Sequence, residues 1–256
     1  MKILEFGDTG KRNIILIHGF QSPWQVWNKY IEYYKDSFHI IVPIMSGHNP
    51  DTKEDFISFT SDAKEIEDYI LKRYGNNIYA IFGMSMGGVL TATLWQNGRL
   101  SFENVIFDGS PLVSENSFVK NFTLNFYIDV THKSQKRDTK TLNNAKKICP
   151  EEYMEQFITV LDNMSDLTIR NSINCIADFK LSNSINTTST EIYYFHGTTF
   201  NEMLAKKSAK YIKKHYPSAK IKSFKGKSHC ENSLFNQEIM ISELDRIFDE
   251  KYVNCK

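Results

Sequence analysis

The stretch Ile78-Tyr79-Ala80-Ile81-Phe82-Gly83-Met84-Ser85-Met86-Gly87-Gly88-Val89-Leu90 decides the fold. Its first five residues are mostly apolar and rich in strand formers, which reads as a buried strand. They run directly into Gly83-Met84-Ser85-Met86-Gly87, and a helical pattern follows at once. A serine in G-x-S-x-G between strand and helix sits on a sharp, strained turn that projects its hydroxyl from the sheet end. The flanking glycines keep side chains away where strand and helix nearly touch. Ser85 is therefore the candidate nucleophile.

Outward from this turn, strands and helices alternate. Toward the N-terminus lie a short strand from Lys2 to Phe6 and a β-branched run from Asn13 that ends in His18-Gly19-Phe20. Ser22-Pro23 has the form of a helix start, with Ser22 as cap and Pro23 at the first helical position. The helix it opens runs from Trp24 to Tyr34, with its aromatics, Trp24 and Trp27 included, packing on one side. A strand from Phe38 to Pro43 leads into the loop Ser46-Gly47-His48-Asn49-Pro50. Apolar spacing predicts a helix over Phe56 to Tyr74, closed by Gly75. After the elbow come a helix near Val89 to Gln96 and a strand from Asn104 to Asp108. From Pro111 to Ser189 the pattern is helical and more polar, with starts at Pro150-Glu151-Glu152 and Ser165-Asp166. Alternation resumes with a strand at Glu191 to Phe195, a helix near Glu202 to His215, a strand at Ala219 to Phe224 and a last helix near Asn236 to Tyr252. The expectation is an α/β fold with a mostly parallel central sheet flanked by helices, a single domain over 1–256 with 111–189 inserted as a helical cap.

The whole chain limits the possible functions. Its 256 residues suffice for one large core, and 41% hydrophobic with 24% charged residues is ordinary globular composition. A net charge of +1 gives no overall basic field for nucleic acid. Lys133 to Arg137 and the lysines at 206, 207, 210, 213 and 214 read as solvated faces, without the aromatic interleaving of a base-stacking surface. Cys149, Cys175, Cys230 and Cys255 are scattered, which points away from zinc or redox motifs and toward a reducing compartment, the cytoplasm. No run reaches membrane-spanning length, and no phosphate loop or metal cluster is legible. The expectation is that neither metal nor cofactor is needed.

Three segments in order, each at a strand end, give the sequence its likeness: His18-Gly19-Phe20, Gly83 to Gly87, and Gly226-Lys227-Ser228-His229. With them the chain resembles the α/β-hydrolase family, across its length apart from the insertion, which itself looks like a family cap. The resemblance implies a serine hydrolase, esterase- or lipase-like, acting on a small or medium carboxylic ester; the alternatives are amide, thioester or carbon–carbon cleavage on the same scaffold, or a non-catalytic relative that only binds a ligand. It places the general base at His229 and the oxyanion hole at the backbone amides of Phe20 and Met86. His196, at a strand end, is the competing imidazole; His18 and His48 read as turn-shaping residues. The family's acid usually follows the penultimate strand as G-x-x-D or G-x-x-E, but Gly197-Thr198-Thr199 is followed by Phe200. Two carboxylates remain, Asp108 at a strand end and Glu202 at a helix start, and Asp108 ranks first because a strand end is more rigid. Its other reading is a plain Asp108-Gly109 turn. The aromatics Phe118, Phe122, Phe126 and Tyr127 either line an acyl pocket or, the preferred reading, form the insertion's own core.

Overall fold

The computed structural model describes residues 1–248. In chain order the elements are β1 (Lys2–Phe6), β2 (Asn13–Ile17), α1 (Asn28–Tyr34), β3 (His39–Ile44), α2 (Phe59–Tyr74), β4 (Asn77–Met84), α3 (Met86–Asn97) and β5 (Ser101–Asp108). There follow α4 (Ser117–Gln135), α5 (Thr139–Ala145), α6 (Met154–Asn163) and α7 (Asp166–Asp178). The chain closes with β6 (Glu191–Gly197), α8 (Met203–His215), β7 (Lys220–Phe224), α9 (Glu231–Leu234) and α10 (Gln237–Ile247).

The strands form a seven-stranded sheet in the order β1-β3-β2-β4-β5-β6-β7. Only β1 pairs antiparallel, against β3; the other neighbours are parallel. Alternate residues of β2 serve opposite faces: Ile15 and Ile17 pack with α2 and α3, while Ile14 and Leu16 pack with α1 and α10. A sheet buried on both faces needs such continuous apolar strands, which explains the unbroken run at 14–17. The strand order reverses between β2 and β4, so the carboxyl ends there flank an open crevice, the usual ligand position in such sheets.

Local chemistry explains most element ends. Ser58 caps α2 by accepting from the Ser61 N–H, and Gly75 ends it at φ 76°. Ser165 caps α7 through the Thr168 N–H, as its sequence implied. Ser22 differs from expectation: the chain enters a 3-10 turn, Trp24–Trp27, with Pro23 at its cap and no side-chain capping bond. Trp27 is buried against Tyr30 and Phe82, and Trp24 stacks on Phe6. The last helix is described to Ile247; its expected continuation to Tyr252 lies outside the described residues, as does Cys255.

Between β5 and β6 the four helices α4 to α7 pack on one another, with Val160, Met164, Ile169 and Ile173 buried against Leu124, Tyr127 and Ile128. The elbow glycines are tightly enclosed. A Cβ on Gly87 would lie 2.4 Å from the backbone oxygens of both Ile17 and His18, neither of which can rotate away. Gly87→Ala is expected to lower stability by about 2 kcal/mol or more, read as a lower midpoint in urea. Gly10→Ala, whose Cβ would meet only the Asp8 carboxylate at 3.4 Å, serves as the near-neutral control.

Candidate active site

Five strand ends deliver the site. Ser85 follows β4 at φ 51°, ψ −119°, a conformation rare for a residue with a side chain. It is held there by its N–H donating to the Asp108 carbonyl at 2.8 Å and by the start of α3. His229 lies in the turn after β7, and its Nε2 is 2.9 Å from Ser85 Oγ. Its Nδ1 is 2.6 Å from Glu202 Oε1. With Nδ1 protonated and donating to the carboxylate, Nε2 is left as acceptor for the serine hydroxyl.

Burial of the His229 ring disfavours its charged form, but the Glu202 carboxylate outweighs this and holds its pKa above the ordinary imidazole value. Burial likewise pushes Glu202 upward. The His229 bond and the Gly197 N–H, which donates to Glu202 Oε2 at 2.8 Å, win and keep it below the ordinary carboxylate value. Glu202 is thus an ionised, fully enclosed partner of the imidazole.

The order of the two acids is reversed by this geometry. Asp108 Oδ2 accepts from the Ser233 hydroxyl at 2.6 Å, its backbone carbonyl anchors Ser85, and burial raises its pKa to about 6. It lies beneath the site, in the plain Asp-Gly turn that was its other reading. Gly109, at φ 63°, closes that turn where a Cβ would stand 2.7 Å from His229 Cε1, so glycine there makes room for the ring. Rigidity at a strand end did not select the partner; reach did. Phe200, at the position where the acid was sought, is 84% exposed. A 3-10 turn over Phe200–Glu202 then brings the carboxylate two residues later back toward β6. His196, the competing imidazole, donates from Nδ1 to the Gly197 carbonyl at 2.6 Å, while the ring bonded to Ser85 is that of His229.

The Gly19-Phe20 turn abuts the serine: a Cβ on Gly19 would lie 3.5 Å from Ser85 Cβ. Met86 opens α3, where the first N–H groups of a helix have no intrahelical partner. Two buried imidazoles support the turn, a role the sequence only hinted at. His48 Nε2 accepts the Gln21 N–H at 3.0 Å, with Gln21 at φ 58°, and His18 Nε2 accepts the Met45 N–H at 3.2 Å. Burial lowers the pKa of His18 to about 4 and of His48 to about 3, so both stay neutral acceptors. Cys230, beside His229, is buried, which pushes its thiol pKa well up and disfavours the reactive thiolate.

A cavity of about 450 Å³ opens over Ser85 and His229. The sheet side contributes Phe20, Gln21 and Met84; the segment between β5 and β6 contributes Tyr127 and Phe157 from helices and Ile148 from the turn after α5. Of the four aromatics in α4, Tyr127 alone among them lines this cavity, packing on Phe20 with ring centroids 5.0 Å apart. Phe118, Phe122 and Phe126 are exposed and form neither an acyl pocket nor the insertion's core, contrary to both readings of the sequence. Asn201, which donates to Ser228 Oγ at 2.7 Å at the cavity edge, carried no recognisable motif. Among the described residues no group of three or more His, Cys, Asp or Glu side chains could hold a metal ion.

The fold is shared with many solved proteins. An alpha/beta hydrolase family protein from Desulfitobacterium hafniense is 15% identical with a TM-score of 0.76, covering 97% of this chain and 100% of that one. A structure from Nitrososphaera gargenis, described in work on its carboxylesterases, is 12% identical at a TM-score of 0.76, covering 96% of this chain and 93% of its own. A thermophilic esterase from Thermogutta terrifontis is 12% identical at 0.71, covering 96% and 92%. No curated protein matches the chain by sequence. A family model described as the alpha/beta hydrolase fold matches residues 12–152, more than half of the chain, and with the fold it shows that this chain belongs to the alpha/beta hydrolase family.

Proposed function

We propose that the chain is a serine hydrolase that cleaves a small or medium carboxylic ester through an acyl-enzyme. The observation that carries this reading is the continuous hydrogen-bond chain from Glu202 through His229 to Ser85, set under the cavity. An alkyl hydroxyl attacks poorly unless a base removes its proton as the bond to carbon forms. Ser85 Oγ attacks the ester carbonyl, and its proton passes to His229 Nε2. The Phe20 and Met86 amides receive the oxyanion. Collapse of the tetrahedral species expels the alcohol, which takes that proton. Water then attacks the acyl-enzyme with His229 again as base, releasing the acid and freeing Ser85. Helices of segment 111–189 act as a cap that shapes the cavity, whose volume of about 450 Å³ suits a small molecule. The three thiols among the described residues, Cys149, Cys175 and Cys230, are free, which agrees with a reducing compartment such as the cytoplasm.

A fluorophosphonate probe tests the reading. Labelling is expected in the wild type and absent in Ser85→Ala and His229→Ala, with turnover of p-nitrophenyl esters in one range of acyl length. Folded wild-type protein that takes no label would sink it. Amide, thioester or carbon–carbon cleavage on the same scaffold would show as labelling without ester turnover.

The pH profile gives a second check. His229 must be neutral to act as base, so kcat/KM rises with pH through its folded pKa, which Glu202 holds above the ordinary value near 6.5. In Glu202→Gln burial is opposed only by the weaker attraction of Asp108, and the acidic limb is expected to move to lower pH. A limb that stays in place would separate Glu202 from the base.

A further inference from the structure

The outer face of α4 has no role in the site and an unusual composition. Phe118, Phe122 and Phe126, spaced four residues apart, are 82%, 68% and 52% exposed. The opposite face of the same helix is already packed, through Leu124, Tyr127 and Ile128, on the other inserted helices. Single exposed apolar residues are common on proteins, but a row of phenyls on one helix face marks a contact surface.

Charge identifies the partner. From Ser117 to Cys149 the chain carries seven Lys and Arg against two Asp, while the whole protein stands at +1. Lys120, Lys133, Arg137 and Lys146 are taken up by Asp178, Asp129, Asp162 and Glu151. Lys136, at the end of α4, Lys140 in α5 and Lys147 have no ion-pair partner among the described residues. The face also borders the cavity: the Phe126 ring meets that of Tyr127, 5.3 Å between centroids, and Lys147 and the exposed Ile148 line the cavity itself.

We infer that this face of α4 and α5 docks on an anionic lipid bilayer, with the Phe118, Phe122 and Phe126 rings entering the headgroup boundary and Lys136, Lys140 and Lys147 lying among the lipid phosphates. Phenyls on one side of a helix with lysines beside them are the composition of an interfacial helix, held by apolar burial and by attraction to acidic headgroups together. A two-fold dimer through the same patch would set this excess of positive charge against its own copy. Docking brings the cavity mouth to the bilayer, where an ester partitioned into lipid can enter. The surface assignment itself does not rest on the hydrolytic reading.

The test is co-sedimentation of the full chain with vesicles of phosphatidylcholine alone and of phosphatidylcholine mixed with phosphatidylglycerol. Wild type is expected to bind the mixed vesicles, less so at raised salt, and to bind the neutral ones weakly. Phe118→Ser with Phe122→Ser is expected to weaken binding on the order of tenfold per ring. Lys136→Gln with Lys140→Gln is expected to cost about fivefold per lysine. Both double variants should match the wild type in melting temperature and in fluorophosphonate labelling without vesicles, which separates a surface defect from a folding one. Absence of wild-type binding to the mixed vesicles, or equal binding by the phenylalanine variant, would overturn the assignment. So would concentration-dependent self-association that the phenylalanine variant loses.

Discussion

Replacing Ser85 with alanine is expected to lower kcat for a p-nitrophenyl ester by about 10⁴-fold or more, with the folded state intact. In the proposed reaction the hydroxyl oxygen forms the bond to carbon, and the Cys230 thiol cannot replace it, being buried with its pKa pushed well up. What remains is the acceleration from a cavity and oxyanion donors that still orient an ester toward water. Stability should change little, because the strain of the elbow belongs to the backbone at φ 51° and alanine keeps it. His229 is half-buried and can take water at Nε2 in place of the lost hydroxyl. Ser85→Gly sharpens the argument, since glycine accepts positive φ without a Cβ penalty and should be the more stable of the two by about 1 kcal/mol. Steady-state kinetics and urea melts of both variants check this. A serine-free protein that retains turnover would remove Ser85 from the chemistry.

Glu202→Gln is expected to lower kcat by about 10³- to 10⁴-fold, and Asp108→Asn by less than about tenfold. The amide nearly matches the carboxylate in shape, so the cavity survives. The charge that favours the imidazolium in the transition state is gone, and the amide can present its N–H₂ where the ring needs an acceptor. Asp108→Asn leaves the backbone carbonyl that anchors Ser85 untouched and perturbs only the bond from Ser233. Asp108 makes no hydrogen bond to the His229 ring and its charge adds less than that of Glu202 to the field there, so removing it costs less. Kinetics of the two variants side by side decide between the carboxylates. A larger loss in Asp108→Asn than in Glu202→Gln would return the acid to the strand end. Combining Ser85→Ala with Glu202→Gln should cost scarcely more than Ser85→Ala alone, since both act through one proton transfer.

The elbow, the strand alternation and the His18 and His229 turns were legible because each is written in local residue types whose backbone demands are strict. Any side chain at Gly87 would press on the backbone oxygens of Ile17 and His18, and a buried parallel strand could hardly be other than apolar. The acid was harder to read, since its position depends on a 3-10 turn that no residue between Gly197 and Glu202 announces. Counting along the chain led to Phe200, and space led to Glu202. Phe118, Phe122 and Phe126 failed differently. Apolar spacing on a helix shows that a face is apolar but not that a neighbour covers it, and α4 is apolar on two sides. The 3-10 entry at Trp24 defeated the Ser22 cap for a similar reason, as a tighter turn moves the amides a cap would meet.

The four helices between β5 and β6 also bear on how the site comes into being. Asp108 pairs with Phe195 across those two strands, so that ladder must close a loop of some eighty residues. The equilibrium cost of such closure grows slowly, by about 0.6 kcal/mol per doubling of loop length, but the search it demands is long. Ser85 and the Gly19-Phe20 turn belong to the part that can assemble early, from neighbouring strands. Glu202 and His229 belong to the part that arrives after closure. On the proposed mechanism, a half-folded chain lacking that closure would expose Ser85 without the base and carboxylate that activate it.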